Sequence, residues 1–271
     1  MRLERTGMVS IDLTGKTALV TASSAGIGFA IALRLAEAGA EVIVNGRSED
    51  SVARAVAEIN AQVEDAARGI VADAADEAGA ATLVAEAGRV DVLVNNLGIF
   101  EAAEALEIDD AAWRRFFETN VLSGVRLTRE LLPQMIRRGW GRVLNIASDS
   151  AVVIPAEMIH YGTSKTAVLG ASRGFAKAAA GTGVTVNAVI AGPTHTPGVE
   201  EFVAQVVGRD LPWDDAQREF MRTARPQSLL GRLIEPSEIA NMVVYLASPL
   251  ASATTGAAVR VDGGYVDSIV P

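Results

Sequence analysis

The feature that most restricts what this chain can fold into is a regular alternation of short β-type runs with longer stretches of helical periodicity. The β-type runs lie at 17–21, 41–45, 68–71, 91–94, 142–146, 184–189 and 257–261. Helical patterns occupy 28–38, 48–60, 110–138, 161–180 and 236–247. Strand-then-helix repetition builds a parallel sheet, because each crossover helix carries the chain back to the same end of the sheet. Several runs are apolar nearly throughout, as strands covered on both faces require. The expected fold is therefore α/β and doubly wound, with a mostly parallel, seven-stranded sheet and helices on both faces. No repeat of fixed period and no low-complexity linker divides the chain, so one domain is expected over 11–271, behind a short extension at 1–10.

Composition narrows the class. The chain has 271 residues, 49% of them hydrophobic and 21% charged. Much of the apolar share is alanine in helical stretches, and no apolar run approaches the ~18–20 residues of a spanning helix. Arg2, Glu4 and Arg5 interrupt the first ten residues, which lack the apolar core of a signal peptide. A cytoplasmic protein with no membrane association is expected. With no cysteine and two histidines, disulfides and thiolate chemistry are ruled out, and no metal site is expected. A formal net charge of −9 argues against nucleic acid as a partner, since phosphate backbones need a basic face. It does not exclude an anionic small molecule held in a locally positive cleft.

Two ends of one site can be read from the residues. After the first run comes Thr21-Ala22-Ser23-Ser24-Ala25-Gly26-Ile27-Gly28, opening a helix. A strand, a small-residue turn and a helix N-terminus make an anion site, because backbone N–H groups point outward and glycine allows close approach. The same two glycines also suit a plain tight turn with close helix packing. The second run ends Val44-Asn45-Gly46-Arg47-Ser48, where the ribose of a dinucleotide would lie. No carboxylate stands there to bind ribose hydroxyls, and Arg47 suits a 2′-phosphate, which favours NADP with NAD possible; a solvated loop charge is the other reading. Farther on, Tyr161 and Lys165 stand four residues apart at the start of a helix, on one face. A neighbouring cation and an oxidised nicotinamide both favour phenolate, bringing a phenol with an ordinary pKa near 10 toward a useful acid–base range.

With these residues in view the chain resembles the short-chain dehydrogenase/reductase family, in its subfamily of roughly 250-residue single-domain members. The resemblance runs from about Ile11 to Gly264. It rests on ordered matches: the turn from Thr21 to Gly28; Asp73 after the third run; Asn95-Asn96-Leu97-Gly98 after the fourth; Asn120; Ser148; Tyr161 with Lys165; Asn187 with the stretch Ala191-Gly192-Pro193-Thr194-His195-Thr196; and Asp262-Gly263-Gly264. The resemblance implies a Rossmann-type fold and hydride transfer between a nicotinamide cofactor and a small carbonyl or alcohol substrate. It implies catalytic roles for Asn120, Ser148, Tyr161 and Lys165. Ser148 would bind the reacting oxygen, Tyr161 would give or take the proton, and Lys165 would lower the phenol pKa and hold the nicotinamide ribose. Asn120 would hold a water linking Lys165 to solvent. Cofactor contacts are implied for Thr21, Ser23, Ser24, Gly26, Ile27, Gly28, Asn45, Arg47, Asp73, Asn95, Gly98, Tyr161, Lys165, Gly192, Thr194 and Thr196. A homotetramer paired through the 110–138 and 161–180 helices is likewise implied, their Ala-rich faces (Ala167, Ala171, Ala178) permitting close approach.

Three departures from the family pattern bear on the cofactor: Ala22 for the first glycine of the turn, Leu97 for a small alanine, and Ala191 for a proline. The segment 194–232 breaks the alternation, with Pro197, Gly198, Pro212 and Pro226 interrupting any long helix; it is read as a substrate lid, an interface being the alternative. Within it, Trp213 and Phe220 line a pocket or anchor a subunit contact. Glu200, Glu201, Asp210, Asp214 and Asp215, interleaved with Arg209, Arg218 and Arg222, read as a solvated helical face. His160 and His195 flank the site as substrate contacts or structural residues. A 3-oxoacyl-[acyl-carrier-protein] reductase is an alternative, although Gly139 and Thr182 stand where such enzymes carry arginines for the carrier protein; Arg137 and Arg138 are possible substitutes. A non-catalytic NADP-binding sensor or scaffold is the alternative of another class.

Overall fold

The computed structural model describes residues 10–208 and 210–269. Positions 1–9 of the expected extension, together with Arg209, Val270 and Pro271, lie outside the described residues. The strands are β1 (Thr17–Val20), β2 (Glu41–Gly46), β3 (Ala67–Val71), β4 (Val92–Asn95), β5 (Gly141–Ser148), β6 (Val184–Ala191) and β7 (Ala258–Val261). They form one seven-stranded sheet in the order β3-β2-β1-β4-β5-β6-β7, with every neighbouring pair parallel. Chain order reverses between β1 and β4, and a crevice opens there beyond the carboxyl ends of the strands.

The helices are α1 (Gly26–Glu37), α2 (Glu49–Gln62), α3 (Glu77–Ala87), α4 (Asp110–Phe117), α5 (Ser123–Arg138), α6 (Ile159–Ala178), α7 (Pro197–Val207), α8 (Trp213–Ala224) and α9 (Pro236–Ala247). Alternation within single strands sorts them into layers. Ala18 and Val20 of β1 face a core shared with α1, α2 and α9, which supply Ile31, Leu35, Ile59, Ile239 and Val243. Leu19, one residue between, faces the opposite core with Leu83 of α3, Leu127 and Leu131 of α5, and Ala176 of α6. Ser48 and Asp76 cap α2 and α3 by accepting from Ser51 N and Gly79 N.

Two expectations change. The helix expected over 110–138 is divided: α4 and α5 flank a π-helical turn at Glu118–Leu122. Apolar periodicity continues across the junction, so nothing in the pattern marks the wider turn, which seats Asn120 in the interior. The prolines of 194–232 start helices instead of only ending them. Pro197 occupies the first turn of α7 and Pro212 the N-cap of α8. This pair has its own small core of Val203, Ala216, Phe220, Met221 and Leu233.

Candidate active site

The nucleotide end is built by the turn between β1 and α1. Thr21 Oγ1 accepts from the N–H groups of Asn96 and Leu97, and Ser23 Oγ donates to the Val20 carbonyl, so the turn is locked to the ends of β1 and β4. Asn45 completes the lock: its amide donates to the carbonyls of Ile70 and Ala72 and accepts from Ala22 N. Thr21, Ser23 and Asn45 are buried and serve as braces behind the cleft, while Gly26, Ile27 and Gly28 line it. A Cβ on Gly28 would lie 2.4 Å from the Ala22 carbonyl oxygen and 2.6 Å from Asn96 Nδ2. Gly26 adopts φ +58°, and the N-cap Ala25 carries no side-chain acceptor for the first turn of α1. A close-approach cradle beside unclaimed helix N–H groups fits a pyrophosphate. At the adenosine end, Arg47 is largely exposed, 3.9 Å from the Asp73 carboxylate. Asp73 also accepts from Ala75 N.

The segment after β4 corrects one assignment. Asn95 points to the α5 side of the sheet, donating to Thr128 Oγ1 and Asn145 Oδ1. Asn96 is the residue that lines the cleft, donating to the carbonyls of Thr21 and Ala22. Leu97 likewise packs against the α3–α5 core, so its bulk lies away from the cofactor cleft. Asn187 braces β6 by donating to Thr254 O and accepting from Ala257 N, outside the cleft. By contrast Gly192, Thr194 and Thr196 do line it. A Cβ on Gly192 would meet the Asp262 backbone at 2.6 Å, and Thr196 caps α7.

At the reacting end the cleft gathers Ser148, the last residue of β5, with Tyr161 and Lys165 from the first turns of α6. Lys165 is buried, its Nζ donating to the Ile146 carbonyl at 2.9 Å and lying 5.9 Å from the Tyr161 ring centroid. Burial brings its pKa down to about 8. Part of Tyr161 is open to the cleft, yet the protein crowded around the phenol pushes its pKa up to about 12. A hydrogen bond with Ser148 opposes the rise, and the Asp149 carboxylate adds to it. Burial thus outweighs the expected downward pull of Lys165 in this state, and the phenol keeps its proton, the form that donates to a carbonyl. Asn120 sits one layer behind: its Nδ2 donates to Ile99 O and Ser164 Oγ, and its Oδ1 accepts from Ile99 N. Gly98 spaces the two groups, since a Cβ there would lie 3.0 Å from Lys165 Nζ and 3.5 Å from Asn120 Oδ1.

The flanking residues resolve individually. His160 is wholly buried against Phe116, 4.0 Å between ring centroids, with Nε2 3.6 Å from Glu101 Oε1, and it does not line the cleft. His195 stacks on Trp213 at 4.9 Å, with Nε2 2.7 Å from Glu200 Oε1, and so ties the start of α7 to α8. Phe220 both anchors the α7–α8 core and lines the cleft. The charged face of α8 is a solvated one, with Arg218 paired to Asp215 and Arg222 to Glu219. Asp149, Phe100 and Arg225 line the cleft as well and escaped the sequence reading. A charge directly after an apolar strand was the available signal for Asp149; Arg225, in a segment without a motif, offered none.

Comparison with known proteins agrees with this geometry. The family model described as enoyl-(acyl carrier protein) reductase matches residues 21–266. The chain is 49% identical to the uncharacterized oxidoreductase YvaG of Bacillus subtilis (strain 168), over 96% of this chain and 100% of that one. It is 34% identical to D-beta-hydroxybutyrate dehydrogenase of Cupriavidus necator, covering 94% and 99% respectively. Among solved structures, L-sorbose reductase from Gluconobacter frateurii complexed with NADPH and L-sorbose superposes with a TM-score of 0.90 at 28% identity, over 96% of this chain and 100% of that one. A putative NAD(P) dependent gluconate 5-dehydrogenase from Beutenbergia cavernae with bound NADP gives 0.85 at 36% identity, again over 96% and 100%. Sheet order, cleft and sequence similarity along nearly the whole chain place it in the short-chain dehydrogenase/reductase family, as an NAD(P)-dependent oxidoreductase acting on hydroxyl or carbonyl groups.

Proposed function

We propose that the protein is an NADP-preferring carbonyl reductase or alcohol dehydrogenase of small molecules, with Tyr161 as proton donor and acceptor. The observation that carries this reading is the convergence of Ser148, Tyr161 and Lys165 at one end of a cleft whose other end is the glycine cradle. The nicotinamide cofactor supplies the hydride and the protein orients it. Ser148 holds the reacting oxygen, and Tyr161 delivers the proton as a carbonyl is reduced or takes it as an alcohol is oxidised. Lys165, kept at the phenol by its bond to Ile146 O, binds the ribose and favours the phenolate of the oxidative direction. Asn120, behind Gly98, holds the proton path from Lys165 toward solvent.

Arg47, exposed at the end of β2 with no carboxylate on β2's own rim, supports NADP over NAD. NADPH and NADP in the two solved relatives point the same way. Helices α7 and α8 form the substrate lid, through Phe202, Phe220 and Arg225. Reduction of an acyl chain carried on a protein fits less well. Arg138, one of the two possible substitutes for the missing carrier-protein arginines, donates to Val90 O at 2.6 Å and lies 3.8 Å from Asp91. A non-catalytic sensor role fits poorly with a complete set of reacting groups.

A panel of carbonyls and alcohols run with NADPH, NADH, NADP and NAD tests the proposal. Turnover with NADPH well above that with NADH is expected, and Tyr161→Phe should abolish it. A strong preference for NADH would overturn the cofactor assignment, and undiminished hydride transfer by Tyr161→Phe would overturn the role of the phenol.

A further inference from the structure

Among the described residues, three charged ones line the cleft: Asp149, Lys165 and Arg225. Lys165 works beside the phenol, and Asp149 Oδ1 accepts from Ser148 Oγ at 2.8 Å and from Ser150 N at 2.7 Å. Arg225 has no task in the chemistry proposed above. It lies half-buried just past the C-terminal end of α8. The two arginines before it on that helix are each paired with a carboxylate, Arg218 with Asp215 and Arg222 with Glu219. No described carboxylate lies within ion-pairing distance of Arg225.

Its guanidinium is held in place with donors to spare. Cζ stands over the Phe220 ring, 5.2 Å from the centroid, and over the Tyr265 ring at 5.6 Å. Nη1 donates to Ala224 O at 2.7 Å. Nε and Nη2 have no partner among the described residues, and neither is closed off from solvent. These two nitrogens form the edge whose parallel N–H groups match the two oxygens of a carboxylate. Phe220, on which the cation rests, itself lines the cleft. Burial pushes the Asp149 pKa up, with the Ser148 hydrogen bond and then the Arg225 charge opposing the rise. The guanidinium therefore acts on the residue next to Ser148, at the opposite end of the cleft from the glycine cradle. The anion it suits carries a single charge. Lys165, the other cation of the cleft, is bound to Ile146 O and assigned to the cofactor ribose. A phosphate dianion would leave one charge unmatched, whereas a carboxylate fits in charge and in shape.

We infer that Arg225 is a specificity-determining residue that pairs its free Nε–Nη2 edge with a substrate carboxylate, so that the substrates are oxo acids and the hydroxy acids formed from them. This rests on the oxidoreductase reading of the cleft. In the reductive direction the carbonyl π bond breaks as hydride from the reduced cofactor bonds to carbon and the Tyr161 proton bonds to oxygen. The cofactor is oxidised, and the carboxylate takes no part beyond anchoring the substrate on α8. A site that offers a charged fork rejects the neutral analogue more strongly than an apolar pocket rejects a missing methylene, because its own donors are then left unpaired.

The test spans several separations of carboxylate from carbonyl, with NADPH as reductant: pyruvate, acetoacetate and levulinate, each against its methyl ester. For at least one of them kcat/KM should favour the acid over the ester by at least about tenfold. Arg225→Met keeps an apolar stem against Phe220 and removes the donors; the preference should fall below about threefold, read as a ratio whatever the absolute rates. Thermal melting and NADPH binding of the variant establish that it is folded, and Arg225→Gln is a second substitution read in the same way. Wild-type ratios of one or less for every acid, or a preference that survives both substitutions, would overturn the inference. Faster turnover of hydroxyacetone phosphate than of any of the oxo acids would overturn the carboxylate as the anion. Should no carbonyl turn over at all, calorimetry on the NADP-loaded protein decides: tighter binding of an oxo acid than of its ester, lost in Arg225→Met, would sustain the role of Arg225 and overturn the proposed function instead. Equal or absent binding would overturn both.

Discussion

Ala22 adopts φ +49°, in the left-handed region where a Cβ crowds the following carbonyl, at the turn that holds the nucleotide cradle. Its N–H donates to Oδ1 of the buried Asn45 and its carbonyl accepts from Nδ2 of Asn96 at the cleft wall, so two side-chain amides hold it there. Glycine takes this conformation without the steric cost. Ala22→Gly should stabilise the protein by about 0.5–1 kcal/mol, raising its thermal midpoint, and should tighten NADPH binding in a fluorescence titration. A lower midpoint with weaker binding would mean that the alanine methyl is a packing group. Lys165 makes the opposite kind of contribution. Its pKa falls from 10.5 in the free residue to about 8 in the folded protein, so between these values the unfolded chain binds the extra proton. The residue is therefore destabilising below about pH 8, and that penalty fades as pH rises toward 10.5. Lys165→Met should abolish turnover yet raise the thermal midpoint at pH 7 by about 2–6 °C, a gain that shrinks by pH 10. An equal shift at both pH values would exclude a buried charge as its origin.

Among the elements, what was legible in the sequence follows from burial. Strands covered on both faces and helices with one apolar stripe announce themselves, so the seven-stranded sheet could be anticipated. The residues proposed to react were legible because two of them sit four apart on one helix and the others arrive in family order. Features that turn on a single residue of register were not. Asn95 and Asn96 differ only in which side of the sheet they face, because alternation reverses at each step along a strand, and the cleft took the second. The turn at Glu118–Leu122 inserts its extra width without disturbing the apolar stripe, and α7 and α8 bury a small core that reads as ordinary amphipathic helix. The short segment after β4 carries a consequence for the proposed catalysis: it leaves little room at Gly98, where a methyl would lie 3.0 Å from Lys165 Nζ and press on that ammonium. Gly98→Ala should displace that ammonium and lower kcat by about tenfold or more, a misplacement effect, while the fold melts within a few degrees of wild type. Unchanged kcat would show that the lysine head does not need its present position.

For the whole molecule, the described residues include no helix long and apolar enough to cross a membrane, and the surface is acidic, with a formal net charge of −9. One helix face departs from that charged surface. Gly170 and Gly174, one turn apart on α6, are exposed, and a Cβ built on either meets nothing within 4 Å. Ala167 and Ala171 lie beside them, so the backbone of α6 can be approached closely by another helix. Glycine within a helix lowers its stability by roughly 0.5–1 kcal/mol relative to alanine, a cost without benefit in an isolated chain and with benefit where two backbones pack together. The homotetramer implied by family resemblance would place α5 and α6 of neighbouring copies in this contact, and it would also rigidify the helix that carries Tyr161 and Lys165. Sedimentation at micromolar protein should give about four times the 28.3 kDa monomer mass. Gly174→Arg puts a long charged side chain on the open face without disturbing the interior, so it should shift the sedimenting species to dimer or monomer and lower kcat by loosening α6. A wild-type monomer would refute the tetramer. An assembled Gly174→Arg variant with wild-type kcat would refute the α6 contact while leaving assembly through some other face.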